Sequence, residues 1–254
     1  MANPYTMRSQ TITRTAEIDA GLRAYMNKVY ALMAGAMIIT GVVSYAVGMD
    51  LKALLAGQAT TLLPAGLVAA MFSSPTMYII MFAPLIVVFA FGAMIHRMSA
   101  STAQMVFWGF AALIGLSIAD IFAVFTGHSI ARTFFVTAIA FGALSLWGYT
   151  TKKDISGWGA FLIMGVVGLI VAMIVNLFLM SEALHWAVSI LGVLIFAGLT
   201  AYDTQRIKNT YLELRGSPGG EAYLEKGAVM GALSLYLDFL NMFLFLLQFL
   251  GNRE

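Results

Sequence analysis

Seven stretches of this chain, each about 17 to 23 residues long, are almost entirely apolar. An α-helix rises ~1.5 Å per residue, so about 20 such residues cross the ~30 Å hydrocarbon core of a bilayer. The pattern predicts an all-α integral membrane protein with seven transmembrane helices. The predicted spans cover residues 29–49, 77–95, 105–125, 133–149, 158–180, 184–202 and 228–250.

Composition supports this class and excludes several functions. Hydrophobic residues make up 61% of the chain and charged residues 10%, whereas soluble domains carry about 25% charged residues. The chain contains no cysteine, which excludes disulfides, thiolate catalysis and cysteine-ligated metals. Its basic residues are scattered, so we expect a lipid membrane as partner and no nucleic acid.

Residues 51–74 are moderately apolar but include Lys52 and Pro64. We interpret this segment as an external, partly interfacial connection, because an eighth span would place Arg97 on the opposite side from most basic residues. The predicted organisation is therefore a cytoplasmic N-terminal segment, residues 1–28, followed by one membrane domain, residues 29–251.

The positions of lysine and arginine predict the orientation, because these residues are enriched in cytoplasmic loops. With the N-terminus in the cytoplasm, eleven of the fourteen basic residues lie on that side. A last segment that enters and returns would bring the C-terminus back inside, but its length disfavours this. The eleven are Arg8, Arg14, Arg23, Lys28, Arg97, Lys152, Lys153, Arg206, Lys208, Arg215 and Lys226; the others are Lys52, Arg132 and Arg253.

Three carboxylates interrupt the apolar spans: Asp120 in the third, Asp203 at the inner end of the sixth and Asp238 in the seventh. An ionised aspartate at mid-helix costs about 2.5 to 3.5 kcal/mol on insertion scales. Each therefore needs a partner, water or a proton. For Asp120 we favour a structural hydrogen-bonded role over a place on an ion path.

Asp203 and Asp238 belong to consecutive antiparallel spans, so they can meet if the seventh span enters deeply enough. Two carboxylates in a low-dielectric site would share one proton and act as a proton-sensitive latch. Ser234 and Asn241 share a helix face with Asp238, and such oxygen and amide groups suit a cation path. Simple neutralisation by Arg97 or Arg206 is the structural alternative.

Other chemistry has little support in the sequence. His96, His128 and His185 lie near span ends without the spacing of metal ligands, which indicates interfacial positions. No phosphate-binding loop, zinc-protease motif or serine-nucleophile elbow occurs. Two membrane aspartates also describe intramembrane aspartyl proteases, but the residues before Asp238, Leu235 to Leu237, lack the Gly-x-Gly that such enzymes require. We expect no enzyme activity and no cofactor.

Two motifs are specific: AYDTQRIKNTY at residues 201–211 and GALSLYLDFLNMFLFLLQFLG at residues 231–251. With the seven spans they make the chain resemble the transmembrane BAX inhibitor motif family from about Met26 onward. The resemblance implies a seven-helix fold with the last helix central, and for bacterial members a pH-sensitive calcium-leak channel of the inner membrane.

The family's di-aspartyl sensor falls on Asp203 and Asp238, which would also be the residues that meet the transported calcium. Its gating arginine is best matched by Arg97, by position alone. Two other functions stay open: a regulatory protein that binds membrane partners, such as a quality-control protease, without physiological transport, and a cation/proton exchanger.

Overall fold

A computed structural model describes the backbone of residues 4–253 and the side chains of residues 19–253. Most of these residues are in helices. Within these residues there is no β-strand; a single isolated bridge joins Phe125 and Arg253. The helices are α1 (Pro4–Leu55), α2 (Ala65–Met71), α3 (Thr76–Met94), α4 (Ala100–Ser117), α5 (Ile121–Val124), α6 (Gly127–Thr150), α7 (Trp158–Leu179), α8 (Glu182–Leu214) and α9 (Gly220–Leu250).

The seven predicted spans are confirmed. Seven helical segments of the described chain are long and apolar enough to cross a membrane, and α2 is not among them. Residues 51–74 therefore hold the last turn of α1 and a connection with the short α2, and not an eighth span. Several helices extend beyond the predicted limits: α8 continues to Leu214 and α9 begins at Gly220, because polar helical turns outside the hydrocarbon core carry no hydropathy signal.

The predicted boundary between residues 28 and 29 does not coincide with a helix end, since α1 runs through it without interruption. The assignment of residues 1–28 to the cytoplasm stays a prediction. The side chains of Arg8 and Arg14, which contributed to the orientation, lie outside the described residues.

The third predicted span, residues 105–125, is confirmed as a span over Ala100–Val124, but it is not one continuous helix. It consists of α4 and the short α5, separated at residues 118–120. Asp120 stands at this interruption, directly before α5, and its side chain is exposed without capping the helix. Hydropathy did not reveal the interruption because the residues on both sides of Asp120 are apolar.

The connection after α1 is tied down by Asp50, which sequence analysis did not single out. This buried carboxylate accepts hydrogen bonds from the backbone N–H groups of Thr61, Leu62 and Leu63 at 2.7, 3.0 and 2.6 Å, and from the Thr61 hydroxyl at 2.9 Å. Donation by several N–H groups stabilises an ionised carboxylate away from bulk water. Asp50 thus fixes the turn before α2.

Successive spans run in opposite directions, so their connections lie at two opposite ends of the bundle. We call the end with the connections at residues 95–99, 151–157 and 215–219 the hairpin end, and the end with residues 118–126, 180–181 and 251–253 the C-terminal end. At the latter, Thr126 N donates to Asn252 O at 3.0 Å and Asn252 N to the Ser129 hydroxyl at 2.9 Å. Helix α9 therefore crosses the bundle once and does not return.

Helix α9 is the most enclosed span, with 67% of its apolar window buried, against 11% for α7. It packs on α1, α4, α6 and α8. The fully buried Tyr236 lies edge-on to Phe107 and Phe110 of α4, and its hydroxyl is 2.7 Å from the Thr40 hydroxyl of α1. That α9 is central in the bundle, as the resemblance implies, stays a prediction.

The close approach of α6 and α8 gives a direct test of this packing. A Cβ atom on Gly148 would overlap the main-chain carbonyl of Ala201, whereas one on Gly142 of the same helix meets open space. Gly148→Ala should force the helices apart and destabilise the protein by about 1–3 kcal/mol. Gly142→Ala should be neutral or stabilise it by up to about 1 kcal/mol.

Thermal unfolding of both variants in the same detergent measures the difference. Equal midpoints for Gly148→Ala and Gly142→Ala would contradict the α6–α8 packing.

Candidate functional site

The candidate site lies in the antiparallel hairpin of α8 and α9. Three contacts define the register of these helices: Arg206 of α8 bonds Ser234 of α9 at 3.1 Å, Ile207 faces Gly231, and Phe196 stacks on Phe245 with ring centroids 6.0 Å apart. This register places Asp203 opposite the helical turn that holds Asp238. The early start of α9, at Gly220, makes it possible.

The register thus places the two predicted aspartates on facing turns of α8 and α9. Both residues are buried, with 7% of Asp203 and 4% of Asp238 exposed. Among the described residues, the buried Oδ2 atom of Asp238 has no hydrogen-bond partner. An ionised oxygen in that position would bear the full cost of desolvation, and a proton on Asp238 removes that cost.

The cation of the site is Arg206, whose Nη2 lies 3.1 Å from Oδ1 of Asp203, three residues earlier on the same helix. The same Nη2 donates to the hydroxyl of Ser234, one turn before Asp238 on α9. Arg206 therefore connects one aspartate to the helix that carries the other. Half of its side chain is exposed, so solvent screens this ion pair.

Three residues of the first motif contact three different neighbours. The buried Gln205 donates to the Lys153 carbonyl at 2.8 Å and accepts from Ile155 N at 2.9 Å, which anchors the α6–α7 connection. Thr204 lies 2.9 Å from the Ser145 hydroxyl of α6. The ring of Tyr202 packs against Gly159 of α7. Helix α8 is thereby held on several sides around Asp203.

A chain of hydroxyls joins three helices beside the site. The Tyr30 hydroxyl of α1 is 2.7 Å from Ser145, which contacts Thr204, and Thr204 donates to the Thr200 carbonyl at 2.7 Å. The chain ends at that carbonyl and not at a carboxylate. Its role is to connect α1, α6 and α8. A hydropathy profile shows each span by itself and could not reveal this connection.

The other predicted residues lie in different places. Arg97 ends the turn after α3 and is exposed. In the described part of the chain, the arginine that forms an ion pair with Asp203 is Arg206. Asn241 donates to the Leu237 carbonyl of its own helix at 2.8 Å. Asp120 stands at the C-terminal end of the bundle, away from the pair. The gating role of Arg97 stays a prediction.

The three histidines are at helix ends, as predicted. His96 lies in the turn after α3, His128 in the first turn of α6 and His185 in the first turn of α8. No group of three or more His, Asp or Glu side chains that could hold a metal ion occurs among the described residues. Asp203 and Asp238 carry four carboxylate oxygens, one of which contacts Arg206, whereas calcium takes six to eight oxygen ligands.

Comparison with known proteins identifies the family of the chain. A family model described as "Inhibitor of apoptosis-promoting Bax1" matches residues 22–254, a range that includes all seven spans and both aspartates. The chain belongs to the Bax inhibitor family. The match begins within α1 and covers more than nine-tenths of the 254 residues, so the resemblance stated from the two motifs is confirmed.

Bacterial members of the Bax inhibitor family are similar over nearly their full length. The chain is 42% identical to "Uncharacterized protein RP147" of Rickettsia prowazekii, with 98% of each chain covered. It is 45% identical to a protein of Caulobacter vibrioides, with 93% and 92% covered. It is 42% identical to "Inner membrane protein YbhL" of Escherichia coli K12, with 92% and 94% covered.

The thermal stability of variants distinguishes the roles of the two candidate arginines, Arg206 and Arg97. Arg206→Gln leaves the buried Asp203 without its cation and should lower the thermal unfolding midpoint, by the equivalent of about 1–2 kcal/mol after screening is considered. Arg97→Gln removes an exposed charge and should change the midpoint little.

A double variant, Arg206→Gln with Asp203→Asn, tests the pairing in a thermodynamic cycle. It should recover part of the stability that Arg206→Gln loses, because no unpaired charge remains. Additive losses would contradict the contact.

Proposed function

We propose that this member of the Bax inhibitor family is a pH-sensitive calcium leak channel, in which Asp203 and Asp238 share a proton and gate the path. The observation that carries the proposal is the buried Oδ2 of Asp238, which has no hydrogen-bond partner among the described residues and lies on the turn that faces a second buried carboxylate, Asp203. When a buried carboxyl group gains or loses its proton, the change of charge acts strongly on the neighbouring charged and polar groups.

The charges of the site explain how a proton acts as a switch. Asp203 and Arg206 balance each other, so with a protonated Asp238 the cluster is neutral. Loss of that proton leaves one net negative charge in a low-dielectric site, which either separates the helices or attracts a cation. A second proton, on Asp203, would release Arg206. Both changes act on the α8–α9 contact.

In this proposal Arg206 is the first latch, because it contacts Asp203 and reaches Ser234 on α9. The family resemblance assigns the latch to Arg97, which lies at the same end of the bundle but is exposed. Movement of Arg97 towards the pair, as Arg206 leaves it, would reconcile the two roles.

Calcium fits as the transported ion and not as a resident cofactor. Carboxylate, hydroxyl and amide oxygens are the ligands that calcium prefers, and Asp203, Asp238, Ser234 and Asn241 offer them along one face of the hairpin. A site with only two carboxylates holds calcium weakly, which passage requires. Asp120 is too distant from the pair to share in this path.

Location and orientation are part of the proposal. One similar protein is named an inner membrane protein, and we place this chain in a bacterial inner membrane with its N-terminus in the cytoplasm. The hairpin end, which holds the aspartate pair and most basic residues, then faces the cytoplasm. The sensor would respond to cytoplasmic pH.

Two alternatives concern the same site. In a cation/proton exchanger each calcium ion would move against protons released from the pair, whereas a regulatory protein would use the aspartates only to stabilise the bundle and would bind membrane partners such as a quality-control protease. A protease function is disfavoured, because Arg206 occupies the carboxylate of Asp203 that would have to activate water.

The test is calcium flux into proteoliposomes between pH 6 and pH 8, with a proton-sensitive dye inside. We expect the wild-type flux to change severalfold across this range, and the double variant Asp203→Asn with Asp238→Asn to lose that dependence, because amides do not titrate. Asp19→Asn, which removes an exposed carboxylate of α1, is the matched control and should behave as wild type.

The outcomes separate the alternatives. Proton movement in fixed proportion to calcium indicates an exchanger. Wild-type flux equal to that of empty liposomes, with partner binding kept in the double variant, supports the regulatory function. Equal flux in wild type and double variant at every pH rejects the aspartate gate.

A further inference from the structure

A second polar region lies at the C-terminal end of the bundle, opposite the aspartate pair. There the ends of α7, α8 and α9 enclose a cleft of about 520 Å³. Its wall includes Asn176, Glu182, His185, Trp186, Gln248 and Arg253. Neither the family motifs nor the proposed channel explains this combination of charged and aromatic side chains, so the cleft requires its own explanation.

The cleft carries one charge of each sign. Glu182 lies in the first turn of α8, and Arg253 follows the end of α9 with its guanidinium 5.9 Å from the centre of the Phe125 ring. Both side chains line the cleft and both residues are exposed, yet within the described residues they form no ion pair with each other. Opposite charges held apart in one cleft complement a ligand that is itself zwitterionic.

His185 connects the mouth of the cleft to its interior. Its Nε2 is buried and has no hydrogen-bond partner among the described residues. The residue also lines a second cavity of about 240 Å³, which shares Asn176 and Gln248 with the cleft. A buried polar atom without a partner is rare in a folded protein, so the Nε2 atom of His185 is available to bond a ligand that enters the cleft.

The second cavity, which we call the slot, has three polar wall residues, Asn176, His185 and Gln248, and becomes apolar at its deeper end. Its walls include Met173 and Leu177 of α7 and Val188 of α8. Met173 lies six residues before the end of α7 at Leu179, which corresponds to a depth of ~9 Å along the helix. A polar mouth that continues into a slot with an apolar end has the shape of a phospholipid: head group first, acyl chain behind it.

The surroundings place this cleft at the level of lipid head groups. Trp186 and Phe249 form an edge-to-face pair at its rim, with ring centroids 5.1 Å apart, and tryptophan is typical of the membrane–water interface. Helix α7 is the least buried span, with an apolar window of mean hydropathy 2.8. The slot therefore opens between surfaces that contact lipid.

We propose that this cleft binds a zwitterionic phospholipid with a phosphoethanolamine head group. The guanidinium of Arg253 receives the phosphate and the carboxylate of Glu182 receives the ammonium group. The side chains of His185 and Gln248 bond to the ester region, and one acyl chain follows Met173 and Leu177. An anionic head group would gain the arginine contact but would meet Glu182 without a compensating positive charge.

Native mass spectrometry of the full chain in detergent measures the preference directly. The protein is titrated with phosphatidylethanolamine and with phosphatidylglycerol of the same acyl chains. We expect phosphatidylethanolamine to bind about tenfold more tightly, the effect of one favourable charge-assisted contact in place of one repulsion. Equal affinity of the two lipids would overturn the assignment of the head group.

Variants at the two charges test the geometry without disturbing the core, because both residues are exposed. Glu182→Gln should abolish most of the preference between the lipids, and Arg253→Gln should weaken the binding of both. Asp120→Asn removes an exposed carboxylate at the same end of the bundle, outside the cleft, and should change neither. Unchanged binding in both cleft variants would reject the site.

A soluble head group distinguishes a lipid from a free zwitterion. Glycerophosphoethanolamine, which lacks acyl chains, should compete poorly with the intact lipid because it leaves the slot empty. Competition at the same concentration as the lipid would show that the cleft takes a soluble zwitterion, and the phospholipid assignment would be wrong. None of these outcomes depends on calcium transport.

Discussion

The contact between α8 and α9 is the interaction on which the rest of the structure depends. It buries two carboxylates in a part of the protein where a lone charge is expensive, and the cost is offset because the hairpin register brings in Arg206 and Ser234 at the same level. Membrane helices gain little from apolar contact with each other, since lipid is equally apolar. Polar contacts and close packing of this kind therefore hold a disproportionate share of the specificity.

The number and order of the spans could be predicted, because hydrophobic length is a property of sequence alone. Hydrophobic length does not detect backbone irregularities within apolar sequence, so it did not reveal the interruption at residues 118–120. It is also silent on polar helical turns that extend beyond the bilayer, and the early start of α9 at Gly220 is one of these. That extension sets the register of α9 on α8. The hydropathy pattern was therefore compatible with a close approach of Asp203 and Asp238 but did not predict it.

The partners of the site were harder to predict than its aspartates. Asp203 and Asp238 are conspicuous because they are charged residues in apolar surroundings, whereas Arg206 is one of several basic residues near a span end. Only its position three residues after Asp203 on a continuous helix makes the contact possible. Asp50 and the polar cleft between α7, α8 and α9 gave no signal, because their partners come from segments distant in sequence or from backbone N–H groups.

The location of Arg206 on the same helix as Asp203 has a mechanical consequence. An ion pair within one helix survives any rigid displacement of that helix, so it reports nothing about motion between α8 and α9. The bond from Arg206 to Ser234 crosses the boundary and is broken or kept by such motion. Helix α8 thus carries its own counter-ion wherever it moves, and the hydroxyl of a single serine registers the relative movement of the two helices.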